Sequence, residues 1–272
     1  MHRVPRRTAR RRLGVAGLLL LTLPSCSLVL PTADELAGES GSGGGTGGTS
    51  QGSSCPGTAG PSMVRIGGAC IDSTEVTASQ YDAFLKAKVD PATNPDVTCQ
   101  AVNPTYQPST WPNGAVDERP VVFVDWCDAA GFCAWAGKRL CGGPGGVQIE
   151  SEGYDPPDPK QDEWFGACTN GGTTEYPYGD SPSTAACNRA PEGPLAQVKS
   201  FPACHGLGAY SAIWDLGGNA DEWVNVCHVD YCRTVGGAIG ISSDECGTSD
   251  VLKQEKTHAA DNLGFRCCAN GL

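Results

Sequence analysis

Trp214-Asp215-Leu216-Gly217-Gly218-Asn219-Ala220-Asp221-Glu222-Trp223 is a glycine-rich acidic turn between two tryptophans. Two further segments follow it within the last 60 residues. They are Arg233-Thr234-Val235-Gly236-Gly237-Ala238 and Asn262-Leu263-Gly264-Phe265-Arg266-Cys267. None of the three is specific by itself. Their fixed order, and the segments that precede them, decide the fold.

At the other end the chain opens on Arg3, Arg6, Arg7, Arg10, Arg11 and Arg12, a basic stretch followed by an apolar run of 11 residues, Leu13 to Leu23. Such a run is too short to span a bilayer as a helix and has the layout of an export signal. Leu23-Pro24-Ser25-Cys26 resembles a lipoprotein cleavage box, which makes residues 1–25 the signal and Cys26 the acylated residue. An ordinary secretory signal cut nearby is the rival reading. The paired arginines also suit a twin-arginine route. Residues 26–54 comprise the lipidated cysteine, a short leader and a Gly/Ser/Thr-rich tether. As a random coil it reaches roughly 30 Å, enough to lift a domain off a membrane. Residues 55–272 then form one domain, long enough for one core.

Loss of the signal removes six arginines and no acid, leaving 13 basic against 30 acidic residues, a net charge of −17. A surface so acidic disfavours nucleic acid and anionic headgroups. Membrane contact is therefore expected only through the lipid. The chain has 15 cysteines. With Cys26 acylated, the remaining number is even, and an exported chain is expected to oxidise them. Zinc sites need paired short spacings such as C-x-x-C, and none occurs.

With Gly 37 and Pro 20, regular structure is expected to be sparse. Met63–Ile66 reads as a strand entering a Gly-Gly turn. Thr77 and Gln80 form a capping-box pattern ahead of Tyr81, Phe84 and Leu85 at helical spacing. Pro120–Val124 reads as a strand. Asp125 caps a helix carrying Trp126, Ala129, Ala130, Cys133 and Trp135, stopped at Gly137. Asp162–Cys168 reads as a short helix and Leu195–Phe201 as a strand. The six tryptophans read as core residues. The mix points to α+β with long loops held by disulfides.

Taken in order, these segments resemble the sulfatase-modifying-factor family, the fold of the formylglycine-generating enzyme. Met63-Val64-Arg65-Ile66-Gly67-Gly68 and Ile71-Asp72-Ser73-Thr74-Glu75-Val76-Thr77 resemble its opening. Pro120 to Trp126 and Cys133 to Leu140 resemble its central strand and helix. After an insertion that begins at Cys141, Asp162 to Cys168 resumes the match, and Tyr176-Pro177-Tyr178-Gly179 follows. The resemblance implies a C-type-lectin-like α+β arrangement.

It also implies a calcium site on Asp215, Gly218, Ala220 and Glu222. Asp and Glu are hard oxygen donors, and Gly and Ala need offer only carbonyls. The same turn can equally stand without metal, Glu222 accepting hydrogen bonds instead. A second family site would begin at Asn188 and the carbonyl of Arg189, with its acidic partner in a loop shortened here to residues 190–197.

Family enzymes hold Cu(I) between two cysteines and carry a serine after the Gly-Gly. Here the serine position is Ala238 and the first cysteine position is Ile241. Cys246 matches either the second copper cysteine, counted forward, or a structural cysteine paired with Cys168, counted backward. The structural alignment leaves no odd thiol and is favoured. Copper is not expected on either count, and Cys246 is catalytic only if the copper reading holds. By resemblance Cys133 pairs with Cys267. Cys55–Cys70 and Cys227–Cys232 are the simplest local pairs. There is no H-x-x-x-H, H-E-x-x-H, G-x-S-x-G or P-loop pattern. The expectation is an exported binding or structural module, lipid-anchored in the bacterial envelope (outer membrane or periplasm) or extracellular. Its ligand is a protein or glycan. The alternative is an oxidoreductase with a rearranged site.

Overall fold

In a computed structural model, residues 55–57, 59–112, 114, 116–152, 157–189, 193–239, 245–247 and 253–272 are described. Cys26, Ile241 and the tether lie outside them. Among the described residues no helix is long and apolar enough to cross a membrane.

Two sheets frame the domain. β1 (Met63–Ile66), β2 (Ala69–Asp72), β9 (Cys267–Asn270) and β3 (Arg139–Leu140) lie in that order, all antiparallel. In the second sheet β5 (Asp221–His228) pairs with β6 (Tyr231–Val235), and β6 with β7 (Lys253–Glu255). The other edge of β5 takes two short parallel strands, β8 (Leu263–Phe265) at its start and β4 (Ile149–Glu150) near its end. β8 and β9 are separated by Arg266 alone, so that one residue joins the two sheets.

The helices follow their local signals. α1 (Ala78–Ala87) starts in a capping box in which Thr77 Oγ1 accepts from Gln80 N and the Gln80 side chain accepts from Thr77 N. α2 (Val97–Val102) is capped by Asp96. α3 (Trp126–Trp135) begins in a second box, Asp125 with Asp128, and ends before Gly137 at φ 71°. α4 (Glu163–Cys168) is capped by Asp162. α1 and α3 meet through aromatic rings: Tyr81 stacks on Phe132 at 5.6 Å, and Phe84 meets it edge-on at 5.5 Å. Trp164 and Trp223 are wholly buried in two adjoining cores. Burial of each contributes about 2 to 3 kcal/mol.

Two expected strands are not strands. Pro120–Val124 makes only an isolated bridge, Thr77 to Pro120. Its donors go to different segments, Val121 N to Val76 O and Phe123 N to Ala260 O, and Phe123 sits at φ 61°. A left-handed residue cannot continue a pleat. Leu195–Phe201 is likewise a loop broken by Lys199 at φ 64°. Its N–H groups reach Glu118 O and the side chains of Asn219 and Asp215.

Seven disulfides join every cysteine from Cys55 onward: 55–70, 99–127, 133–267, 141–268, 168–246, 187–204 and 227–232. The adjacent Cys267 and Cys268 reach opposite ways, to α3 and to the residue after β3. They close loops of 134 and 127 residues. In the chain-entropy model each such loop contributes at most roughly 5 kcal/mol.

Candidate functional site

The Gly-Asn turn leads into β5 through two left-handed residues, Asp215 at φ 56° and Asn219 at φ 64°. Asp and Asn tolerate that conformation better than other side chains. Gly218, at φ 78°, approaches the Asn188 carbonyl so closely that a Cβ would lie 2.6 Å from it. Only glycine fits there. Asn219 then uses its whole carboxamide. Nδ2 donates to Glu75 Oε1 (3.1 Å) and Ala196 O (3.3 Å), and Oδ1 accepts from Ala196 N (2.9 Å) and Asn188 Nδ2 (3.1 Å). Asn188 is thus held against Asn219. Of the loop 190–197, where the resemblance places an acidic partner for a second calcium, residues 190–192 lie outside the described residues.

Behind the turn, Arg266 is fully buried. Its Nε donates to both Glu222 oxygens (2.9 and 2.7 Å) and its Nη2 to Glu222 Oε1 (2.6 Å). Nη2 also reaches Trp214 O (3.0 Å) and Asp215 O (3.1 Å), and Nη1 reaches Asp72 O (3.3 Å). Trp164 Nε1 donates to Glu222 Oε2 at 2.8 Å. Asp72 in turn pairs with Lys138 Nζ at 2.6 Å and accepts from Cys267 N. Besides Asp72, the carboxyls of Glu222, Asp215 and Glu75 share this interior with Arg266. Burial pushes Asp215 up to about 6, against the Lys199 N–H and Arg266. Burial pushes Glu75 well above the carboxylate range, and the Asp215 and Glu222 charges add to it. Its Oε2 has no hydrogen-bond partner among the described residues.

This geometry tests the calcium set. Asp215 Oδ2 is engaged by Lys199 N at 2.7 Å. Both Glu222 oxygens face Arg266 and Trp164, so Glu222 does not fit as a metal ligand. Among the described residues no three His, Cys, Asp or Glu side chains come together to hold a metal.

The copper positions fare similarly. Cys246 is bonded to Cys168 and offers no thiolate. Ala238 is wholly buried in the loop after β6. The backbone N–H groups of Gly237 and Ala238 hold the Asp221 carboxylate, whose pKa burial nevertheless raises to about 6. Ile241 is outside the described residues.

Beside this loop runs a cleft of about 540 Å³ that the sequence did not reveal. Trp111, Arg119, Phe123, Leu195, Ile239 and Asn262 line it. The turn and the cleft share backbone: Asp221 N donates to Asn262 O (2.8 Å) and Ile239 N to Asn219 O (3.3 Å). Arg119 Nε is held by both Asp117 oxygens (3.0 and 3.1 Å). Trp111 both lines the cleft and packs on Tyr81 at 6.0 Å, so it is not a core residue alone. The left-handed Phe123, the best local marker of the cleft, has no sequence signal.

An α+β domain whose glycine-rich turn docks on its opening strands and whose last strand is stapled to its central helix is C-type-lectin-like, of the formylglycine-generating-enzyme type. The chain belongs to the sulfatase-modifying factor enzyme 1-like domain family, whose model matches residues 39–271. It is 29% identical over 176 residues to the inactive C-alpha-formylglycine-generating enzyme 2 of Mus musculus, covering 56% of this chain and 50% of that one. The chain thus spans about half the length of that curated relative. To the formylglycine-generating enzyme of Streptomyces coelicolor it is 28% identical, over 75% of this chain and 79% of that one. Among solved structures, PvdO from Pseudomonas aeruginosa matches at TM-score 0.49 and 21% identity, over 75% of this chain and 80% of that one.

Proposed function

We propose that residues 55–272 are a non-catalytic member of the family that binds a protein or glycan ligand in the cleft. A lipid on Cys26 and the flexible tether would hold the domain at the bacterial envelope, in the outer membrane or periplasm or facing outward. One observation carries the loss of activity: the Cys168–Cys246 disulfide consumes the thiol that a copper pair would need. Two thiolates are the soft donors suited to Cu(I), and every described cysteine is oxidised. Ala238 in place of the serine, and similarity to a mouse protein named as inactive, support the same reading. The cleft supplies what binding needs. Trp111 and Phe123 offer apolar and ring surface, Arg119 a cation, and Asn262 a nearby amide.

The purified domain, incubated with Cu(I), oxygen and a cysteine-containing sulfatase peptide, should leave the peptide mass unchanged. Copper-dependent conversion of the thiol to the aldehyde would establish the oxidoreductase instead. Peptide and glycan arrays probed with the domain should give hits that Arg119→Gln and Trp111→Ala weaken. Hits indifferent to both changes would place binding elsewhere. For the anchor, Cys26→Ser should move the protein from the membrane to the soluble fraction.

A further inference from the structure

We propose that the Arg266 guanidinium is the cation around which the Gly-Asn turn is built, and that it takes the Glu222 carboxylate that the family resemblance gives to calcium. On this reading the domain needs no divalent metal to fold or to shape its cleft. Four groups bring oxygens together as a calcium site does: the Glu222 carboxylate, the Trp214 and Asp215 carbonyls of the turn, and the Asp72 carbonyl at the end of β2 converge. They converge on a planar side-chain cation.

An ionised carboxylate has about four lone-pair directions. At Glu222 four donor contacts use them: Oε1 takes Arg266 Nε and Nη2, and Oε2 takes Arg266 Nε and Trp164 Nε1. Calcium needs about six to eight oxygens at about 2.3 to 2.6 Å. Serving it would strip donors from Glu222 and set a divalent ion against a guanidinium that has no access to solvent. Like charges so placed repel strongly in a low-dielectric interior. Side-chain exposures of 0% for Arg266 and 1% for Glu222 leave the pair no water as a substitute partner. Breaking such a pair from one side strands a buried charge.

The position of Arg266 gives it reach. It is the residue between β8 and β9, so the cation that closes the turn also fixes the junction of the two sheets. Its partner Glu222 lies on β5 beside Asp221, whose N–H holds Asn262 at the cleft wall. The cleft geometry is therefore set by a covalently attached cation and is independent of ambient calcium.

The test uses the disulfide-intact protein. Melting temperature is read with excess EGTA and with millimolar Ca²⁺, alongside calcium titration calorimetry. The expected result is the same melting temperature in both and no calcium uptake that depends on Glu222. A bound calcium at 100 times its Kd would raise the midpoint by about 5 to 10 °C, well within detection. One-to-one uptake accompanied by such a rise, both abolished by Glu222→Gln, would overturn the proposal. Uptake that survives Glu222→Gln lies elsewhere on the acidic surface and leaves the proposal standing. Arg266→Ala gives the positive arm. It opens the oxygen cage, so this variant should melt lower and, unlike the parent, be rescued by Ca²⁺. If the variant does not fold, Arg266→Lys is read in its place. The shorter single-point cation cannot reach Glu222 and the carbonyls together, so its midpoint should fall, still without response to EGTA. A calcium-sensitive Arg266→Lys beside a calcium-sensitive parent would again overturn the proposal.

Discussion

The sulfurs of Cys168 and Cys246 are bonded, and Cys168 Sγ lies 3.8 Å from the Leu216 carbonyl, directly behind the Gly-Asn turn. Cys168 ends α4, the helix that also carries Trp164, the second donor to Glu222. One bond thus removes a thiol from any copper site and fixes the helix that helps to hold the turn.

Thiol titration of the denatured, unreduced domain should therefore find no reactive thiol from Cys55 onward. A single thiol appearing at position 246 would undo the argument against copper. Replacing both cysteines by serine should destabilise the domain by at most about 4.5 kcal/mol, since the bond closes 78 residues. Urea unfolding of the double variant checks this. Smaller losses would mean that the turn and α4 are held mainly by the Trp164, Glu222 and Arg266 contacts.

Gly264→Ala should damage the cleft from behind. Gly264 lies in β8, paired with Glu222, and a Cβ there would come within 2.6 Å of the Val121 carbonyl. Val121 lines the cleft, and the clash is with backbone, which cannot rotate away. The expected cost is about 1 to 3 kcal/mol, with a shift of the 120–123 segment that tryptophan fluorescence near Trp111 would report. A neutral Gly264→Ala would show that the segment has room to move.

Three of the four helices were legible because their signals are local: Thr77 and Gln80, Asp125, and Asp162 each cap the start of a helix through contacts within three residues, whereas α2, capped by Asp96, was not anticipated. The failed strands at 120–124 and 195–201 have the right apolar content. Whether they pair depends on donors that reach Val76, Ala260, Glu118 and Asp215, all distant in sequence. The paired strands β5 to β9 were not anticipated for the same reason. At the turn, the sequence identified Asp215 and Glu222 as oxygen donors but not their recipient. Arg266 is 44 residues from Glu222, and nothing local in its motif names that partner. The cleft was illegible because it is lined from segments as far apart as Trp111, Leu195 and Asn262.

Ala238→Ser restores the family residue without restoring the chemistry. The side chain is wholly buried, and a hydroxyl there must find a partner or lose about 1 to 3 kcal/mol. The expected outcome is a lower unfolding midpoint and still no copper-dependent oxidation of a cysteine peptide. Activity in this single variant would mean that the alanine alone silenced the site, and that copper binds without the Cys246 thiol.

Stability should fall as pH rises from about 4 to 8, because several carboxyls hold their protons more tightly in the fold than in the unfolded chain. Burial raises Asp125 to about 6, and burial together with the Asp125 charge raises Asp128 to about 8. Both cap α3, where Asp128 Oδ1 accepts from Asn103 Nδ2 at 2.8 Å and Oδ2 from Asp125 N at 3.3 Å. Tyr81 and Tyr106 face them, and no cation is among the causes of either shift. Asp72, Asp215 and Asp221, each pushed up to about 6, act with the same sign. Asp117, lowered by its hydrogen bond to Arg119, acts oppositely and only in stronger acid. Between the unfolded values and the raised ones the native state binds more protons, so deprotonation favours unfolding. Asp128→Asn keeps an amide acceptor for Asn103 and removes the titrating group. Its melting temperature should decline less than the parent's from pH 6 to 8, since the groups raised to about 6 still titrate there, and should meet or exceed the parent at pH 8. A parent whose midpoint rises across that window would show that Asp128 is ionised in the fold and satisfied by the helix N-terminus.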